Sequence, residues 1–189
     1  MKRFILTGAP GSGKTSILRA LEAQGYAVVD EAATDVIAAA QAHGDGEPWS
    51  DPRFIDKIAS LQRHRQHQSV HGGTSAQIYD RSPVCTLALA RYLGHPTGTA
   101  LTEEIGIILR DRVYDHRVFF VRPIGFCEPT AARQISYENS LIFERLHEAE
   151  YGRLGFEITD IPAAPVSQRA AMVDAFIRSW VDPGHAANM

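Results

Sequence analysis

Short, unbroken apolar runs alternate along this chain with longer segments of helical period. Phe4-Ile5-Leu6-Thr7, closed by Gly8, reads as a strand covered on both faces. A glycine-rich turn follows, and Ile17, Leu18 and Leu21 mark a helical stripe that Gly25 ends. Tyr26-Ala27-Val28-Val29 predicts a second strand, and Glu31 to about His43 a helix with Val36, Ile37 and Ala40 on one side. After the turn-rich Gly44–Pro48, the pair Asp51-Pro52 opens a helix predicted to reach about Val70. Gly72-Gly73 breaks the chain, and Ala76–Asp80 is the next strand. Ser82-Pro83 starts a helix that Gly94 and Pro96 stop, and Thr102-Glu103-Glu104 starts another. Val118–Val121 is the clearest strand of the second half. A charged helical stretch from Thr130 to about Gly152, a strand at Phe156–Thr159 and a helix from Ser167 to Val181 complete the pattern.

Strands alternating with helices predict right-handed βαβ crossovers, hence an α/β fold with a mainly parallel sheet flanked by helices. The 189 residues suit one domain, at about 100–200 residues each. Residues 1–181 are expected to form it, with 182–189 a frayed tail. Apolar residues at 44% and charged residues at 22% are those of an ordinary globular chain. A net charge of −3 speaks against nucleic acid as the main partner. Lysine occurs only at positions 2, 14 and 57, so there is no polybasic patch for anionic lipid. The apolar start is too short for a secretion signal, and no run approaches the ~18 residues of a membrane span. Cys85 and Cys127 are far apart and lack metal-ligand spacing, so a reducing cytoplasm is the expected setting.

The sharpest chemical signal is Gly8-Ala9-Pro10-Gly11-Ser12-Gly13-Lys14-Thr15, followed by Ser16. It fits G-x-x-x-x-G-K-[ST], the phosphate-binding pattern, between a predicted strand and a predicted helix. Successive backbone N–H groups must turn toward a polyanion, and side chains would obstruct that approach. The helix start adds its positive dipole end. Lys14 is expected to reach the β- and γ-phosphates, and the Thr15 hydroxyl to coordinate Mg²⁺. Asp80, at a strand end, is expected beside Thr15 in the magnesium shell, with capping of the next helix as the alternative. Arg81 then places a cation next to the phosphates, or serves as a structural ion pair. Glu31 is the candidate to take a proton from an attacking hydroxyl or water, with Asp30 competing and an ordinary first-turn carboxylate as the bland reading.

Late in the chain, Arg122, Arg133, Arg145 and Arg153 are candidates to reach over the phosphates. Arg133 and Arg145 are the preferred transition-state arginines, on a helical lid of about residues 128–152 hinged at Pro129 and at Gly152–Gly155. The interspersed Glu138, Glu144, Glu148 and Glu150 support the opposing picture of a solvated, salt-bridged helix. His64, His67 and His71 share a helical spacing without the further ligands a metal needs. Trp49 and Phe54 flank Pro48 and Pro52, as a stacking surface for an acceptor or as core anchors.

Taken in order, these segments resemble the AAA-domain family of small ATPases related to nicotinamide-riboside kinases, and more distantly thymidylate and deoxynucleoside kinases. The resemblance runs through Ile5–Thr15, Val28–Ala33, Asp80-Arg81-Ser82 to Gly94, Tyr151–Glu157 and Val166–Phe176. It implies a nucleoside-monophosphate-kinase-like P-loop fold with a central five-stranded parallel sheet, and binding of ATP or GTP with Mg²⁺. Thr34 stands where family members often carry arginine, and Cys85 where they often carry an acid. Both departures fall on the acceptor side. No Asn-Lys-x-Asp motif for guanine is present, which favours ATP. The expected function is an ATP-dependent phosphotransferase acting on a small-molecule acceptor, or an ATPase. The alternative is a nucleotide-dependent switch with slow hydrolysis and a protein or lipid partner.

Overall fold

A computed structural model describes residues 1–68, 75–125 and 135–181. The expectations at His71, Gly72-Gly73, Cys127, Pro129, Arg133 and the tail 182–189 lie outside the described residues.

The central strand β1 (Lys2–Thr7) is the apolar run at the start of the chain. Phe4, Ile5 and Leu6 are fully buried, because the strand is covered on both sides. Burying each such side chain contributes about 1.5–3 kcal/mol. The remaining strands are β2 (Ala27–Val29), β3 (Ala76–Asp80), β4 (Arg117–Val121) and β5 (Glu157–Ile161). They form one five-stranded sheet in the order β2-β3-β1-β4-β5, all pairs parallel. Phe4 lies opposite Ile78 and Ile5 opposite both Tyr79 and Val118. All five C-terminal strand ends therefore open on one edge, where ligands gather in such sheets.

The strand period sorts the core. Phe4 and Leu6 face α1 (Lys14–Ala23) and α7 (Val166–Val181), packing with Ile17, Leu21, Val173 and Ile177. Ile5 faces the other way, toward Val84 of α4 (Pro83–Leu93), Ile108 of α5 (Thr99–Arg110) and Tyr151 of α6 (Tyr137–Arg153). A third apolar cluster stands off the sheet. It joins α2 (Ala32–Ala42) and α3 (Arg53–His67) to α4 and α5 through Ile37, Phe54, Ile58, Leu87 and Leu101. A short 3₁₀ turn at Pro48–Ser50, absent from the sequence expectation, leads into α3.

Several element boundaries differ from expectation, three of them with an identifiable cause. Helix α5 begins at Thr99 rather than Thr102, because Asp56 of α3 accepts a hydrogen bond from the Leu101 N–H at 3.2 Å. That cap comes from a distant segment and carries no local signal. Strand β5 runs to Ile161, since Phe119 to Val121 supply partners for Thr159 to Ile161. Helix α6 begins at Tyr137, where Ser136 Oγ accepts from the Asn139 N–H at 3.2 Å.

Candidate active site

The site is built on the loop between β1 and α1. Gly8 has φ +130° and approaches β4 so closely that a Cβ there would lie 2.3 Å from the Val121 carbonyl oxygen. Gly13, at φ +88°, adopts the left-handed turn that aims the start of α1 into the cavity. Lys14 folds back over the loop. Its Nζ donates to Ala9 O at 2.8 Å, to Gly8 O at 3.3 Å and to Ser12 Oγ at 3.4 Å. Burial, reinforced by Arg81, lowers its pKa to about 8. The loop holds a cation whose present partners are neutral, as an anion site requires.

Asp80 ends β3 and is buried. The Thr15 hydroxyl donates to its Oδ2 at 3.4 Å, while its Oδ1 is buried without a hydrogen-bond partner. The capping alternative fails, because Ser82 caps α4 instead, its Oγ accepting from the Val84 N–H at 3.2 Å. Burial first, and Glu31 second, raise the Asp80 pKa to about 6. An orphaned carboxylate oxygen beside a threonine hydroxyl is a donor set that fits a small hard cation such as Mg²⁺.

Arg81 sits between these groups, with a positive φ of 71° that few arginines adopt. Its main-chain N–H donates to Leu6 O at 3.0 Å, prolonging the β1–β3 ladder and holding the strained residue in place. Its guanidinium is ion-paired with Glu31 and donates from Nη1 to Gly8 O at 3.3 Å. Nη1 also meets His147 Nε2 of α6 at 3.0 Å. His147 is fully buried, and its Nδ1 lies 2.7 Å from Phe143 O. Burial and the neighbouring guanidinium push its pKa down to about 3, so it is neutral and its Nε2 accepts from Arg81.

Glu31 is the N-cap residue of α2 and lines the cavity. Burial raises its pKa, but Arg81 and Lys14 outweigh that and leave it lowered. Its Oε2 accepts from the Thr34 hydroxyl at 2.9 Å. The competing Asp30 is exposed and ion-paired with Arg19, away from the cavity lining. Lys14, Glu31 and the adjacent pair Asp80-Arg81, from three sequence-distant places, thus meet at one point.

The late arginines are arranged otherwise. Arg145 is exposed on α6 and does not line the cavity. Arg122 is bound by Glu144 at 3.0 Å, and by Glu148 and Asp160 at 2.6 Å each. Arg153 is paired with Glu150 at 2.8 Å. Nor is α6 a solvated helix, since Glu144, His147, Glu150 and Tyr151 are buried. Its end is bonded straight into the turn before β5, Phe156 N–H donating to Tyr151 O at 3.0 Å. The periodicity of α6 misled because its inward carboxylates are satisfied by arginines from other elements, Arg91 of α4 among them.

Beyond the loop, the cavity of about 590 Å³ continues into the space between α2, α3, α4 and α6. Trp49, Phe54, Ile58, Leu89, Tyr92 and Phe143 wall it. Trp49 and Phe54 therefore face the cavity as well as the helical cluster. Gln62 and Thr86 also line it, the Thr86 hydroxyl donating to Gln62 Oε1 at 2.9 Å. That bond fixes the amide and leaves Nε2 as a donor for a ligand. Sequence reasoning missed Gln62, Thr86, Tyr92 and His147. Only Gln62 carried a signal, as a polar residue in register with the apolar Phe54 and Ile58 of its helix.

A parallel five-stranded sheet with a G-x-x-x-x-G-K-T loop between its central strand and first helix defines a nucleoside-kinase-like P-loop NTPase fold. The profile of a family described as AAA domain matches residues 3–169, and the chain belongs to that family. Among solved structures it is similar to deoxyadenosine kinase from M. mycoides with bound dCTP. The TM-score is 0.62 at 15% identity, covering 95% of this chain and 100% of that one. The same kinase with the products dCMP and a flexible dCDP gives 0.58 at 14% identity, covering 94% and 98%. With bound dATP it gives 0.54 at 13%, covering 94% and 100%. At these identities the likeness is one of fold. No curated protein matches the sequence. Among the described residues, no helix is long and apolar enough to cross a membrane.

Proposed function

We propose that this protein transfers the γ-phosphoryl group of ATP to a hydroxyl of a small, uncharged, flat-ringed acceptor, with nucleosides the first class to test. One observation carries the reading. The phosphate loop and an aromatic-walled pocket form a single cavity, and Glu31, Asp80 and Arg81 stand at their junction. The second chamber offers room for an acceptor other than water, which favours a phosphotransferase over a hydrolase or a switch. The only basic side chains in the described lining are Lys14 and Arg81, both beside the phosphate loop. Among the described residues the acceptor pocket thus offers no cation for an acceptor phosphate, and Thr34 stands where the family resemblance leads one to expect arginine. Gln62 Nε2 calls for a hydrogen-bond acceptor on the ring, and the aromatic walls for a flat face.

In this reading the main-chain N–H groups of the Gly8–Ser16 loop, to which Pro10 contributes none, cradle the phosphates, and Lys14 exchanges its carbonyl partners for phosphate oxygens. Thr15 and Asp80 would hold Mg²⁺, which when bound would neutralise part of the phosphate charge. Glu31 orients the acceptor hydroxyl and takes its proton as the bond to phosphorus forms. Its lowered pKa suits late proton transfer in a loose transition state, where the nucleophile needs little prior activation. Arg81 offsets charge on the transferred group while His147 and Glu31 fix its plane. Arg133 is the remaining late candidate for a second cation. The test is ADP release from MgATP measured across nucleosides, their monophosphates and simple polyols. Stimulation of at least ~tenfold by a nucleoside or another neutral ring compound is expected. Stimulation by monophosphates alone would overturn the acceptor assignment.

A further inference from the structure

Arg169 lies in the first turns of α7 and is fully buried beneath the phosphate loop. Its Nη1 donates to Ser12 O at 2.6 Å. Its Nη2 donates to Arg122 O at 2.7 Å and, more weakly, to Ile161 O at 3.5 Å. The guanidinium thus ties the loop to the residues at the C-terminal ends of β4 and β5. It has no carboxylate partner among the described residues, and its buried Nε has no hydrogen-bond partner. A positive charge buried without a counter-ion is costly, and main-chain carbonyl dipoles offset only part of that cost. Burial alone lowers its pKa; no neighbouring charge does so.

The missing counter-charge has a place directly across the loop. Nη1 lies 3.3 Å from where a Cβ on Gly13 would stand, so one peptide unit separates the guanidinium from the cavity that Gly11 and Gly13 line. An ion across one peptide, shielded from water, is felt strongly. We infer that Arg169 is a buried positioning residue of the phosphate site, and that its charge is answered by the polyphosphate of the bound nucleotide. It holds the Ser12–Gly13 peptide in the orientation that presents N–H groups to phosphate, and it makes triphosphate binding favourable from behind the loop. The inference rests on the nucleotide reading of that loop. A charged prop of this kind predicts an effect that grows with the number of phosphates, which a purely structural arginine does not.

Calorimetry with a nonhydrolysable ATP analogue plus Mg²⁺, with ADP, and with adenosine tests it on wild type, Arg169→Met and Arg169→Lys. The expected result is that Arg169→Met weakens the triphosphate at least ~tenfold, ADP less, and adenosine not at all. The thermal shift produced by triphosphate shrinks in parallel. Triphosphate affinity within about twofold of wild type, or equal loss for all three ligands, overturns the inference. If Arg169→Met does not fold, Arg169→Lys decides. With its charge kept, its preference for triphosphate over adenosine should stay within about threefold of wild type even as its melting temperature falls. A preference that collapses in the lysine variant overturns the inference. Failure of wild type itself to bind any phosphate ligand would instead overturn the nucleotide reading.

Discussion

The two chambers of the cavity are made by different means. The phosphate chamber is built from one contiguous loop, with β1 behind it and α1 ahead, and its recognition elements are main-chain N–H groups and one lysine. The second chamber, where we propose that the acceptor binds, is built from side chains of α2, α3, α4 and α6, which meet only through long-range packing. A loop that binds with its backbone constrains its own sequence, because glycine is favoured where φ is positive and needed where a strand passes close, as at Gly13 and Gly8. A pocket walled by side chains constrains only size and polarity at scattered positions. The difference teaches that the nucleotide half is identifiable from spacing, whereas the acceptor half is identifiable only after folding.

Substitutions can separate the two chambers. The largest effect is expected from Lys14→Ala, which should weaken triphosphate binding by about a hundredfold or more while adenosine affinity stays the same. Calorimetry on both ligands checks this, and equal losses would mean that the loop had collapsed. Asp80→Asn should lower Mg²⁺-dependent turnover by about a hundredfold. It should also stabilise the ligand-free protein near neutral pH. The folded carboxyl, held near 6, binds its proton more tightly than the unfolded one, so its ionisation costs stability as pH rises from about 4 to 6. Thermal melts against pH should show that slope removed in the variant.

Gln62→Leu acts on the other chamber. It should raise the acceptor KM by about 10- to 100-fold through loss of the one fixed donor, with the ATP KM unchanged. A shift in both constants would show that the chambers are not separable. His147→Gln is expected to be milder, keeping an acceptor for Arg81 within the same helix. Here the sign is opposite to that at Asp80. The folded imidazole, at about 3, refuses a proton that the unfolded one takes near 6.5, so wild type loses stability as pH falls from 6.5 to 3. The variant should lose less over that range in acid melts. Arg145→Ala sets the floor: an exposed side chain outside the cavity should change turnover by less than about twofold.

Helix α6 marks where local reading stopped working. Its sequence has charges all round, which suggested a lid or a solvated helix. In the fold, Glu150 is buried between Arg91 and Arg153, and His147 stands inside the site against Arg81. Neither role is visible in the periodicity of α6, because the partners sit on α4 and at the end of β3. The choice between Asp30 and Glu31 was equally open, since both follow the same strand. It was decided when Arg19 drew Asp30 outward and Arg81 drew Glu31 in.

What the sequence determined by itself was the order of strands and helices, the α/β class and the phosphate loop. Each depends on spacing within a few residues of chain, through hydrophobic period, turn chemistry and glycine geometry. Tertiary structure alone decided which carboxylates face the cavity, how α5 begins, and what walls the second chamber. It also placed Arg169, more than 150 residues from the loop it props, under Ser12. These contacts join residues far apart in the chain, and their energies come from burial and charge pairing between elements, which no local pattern encodes.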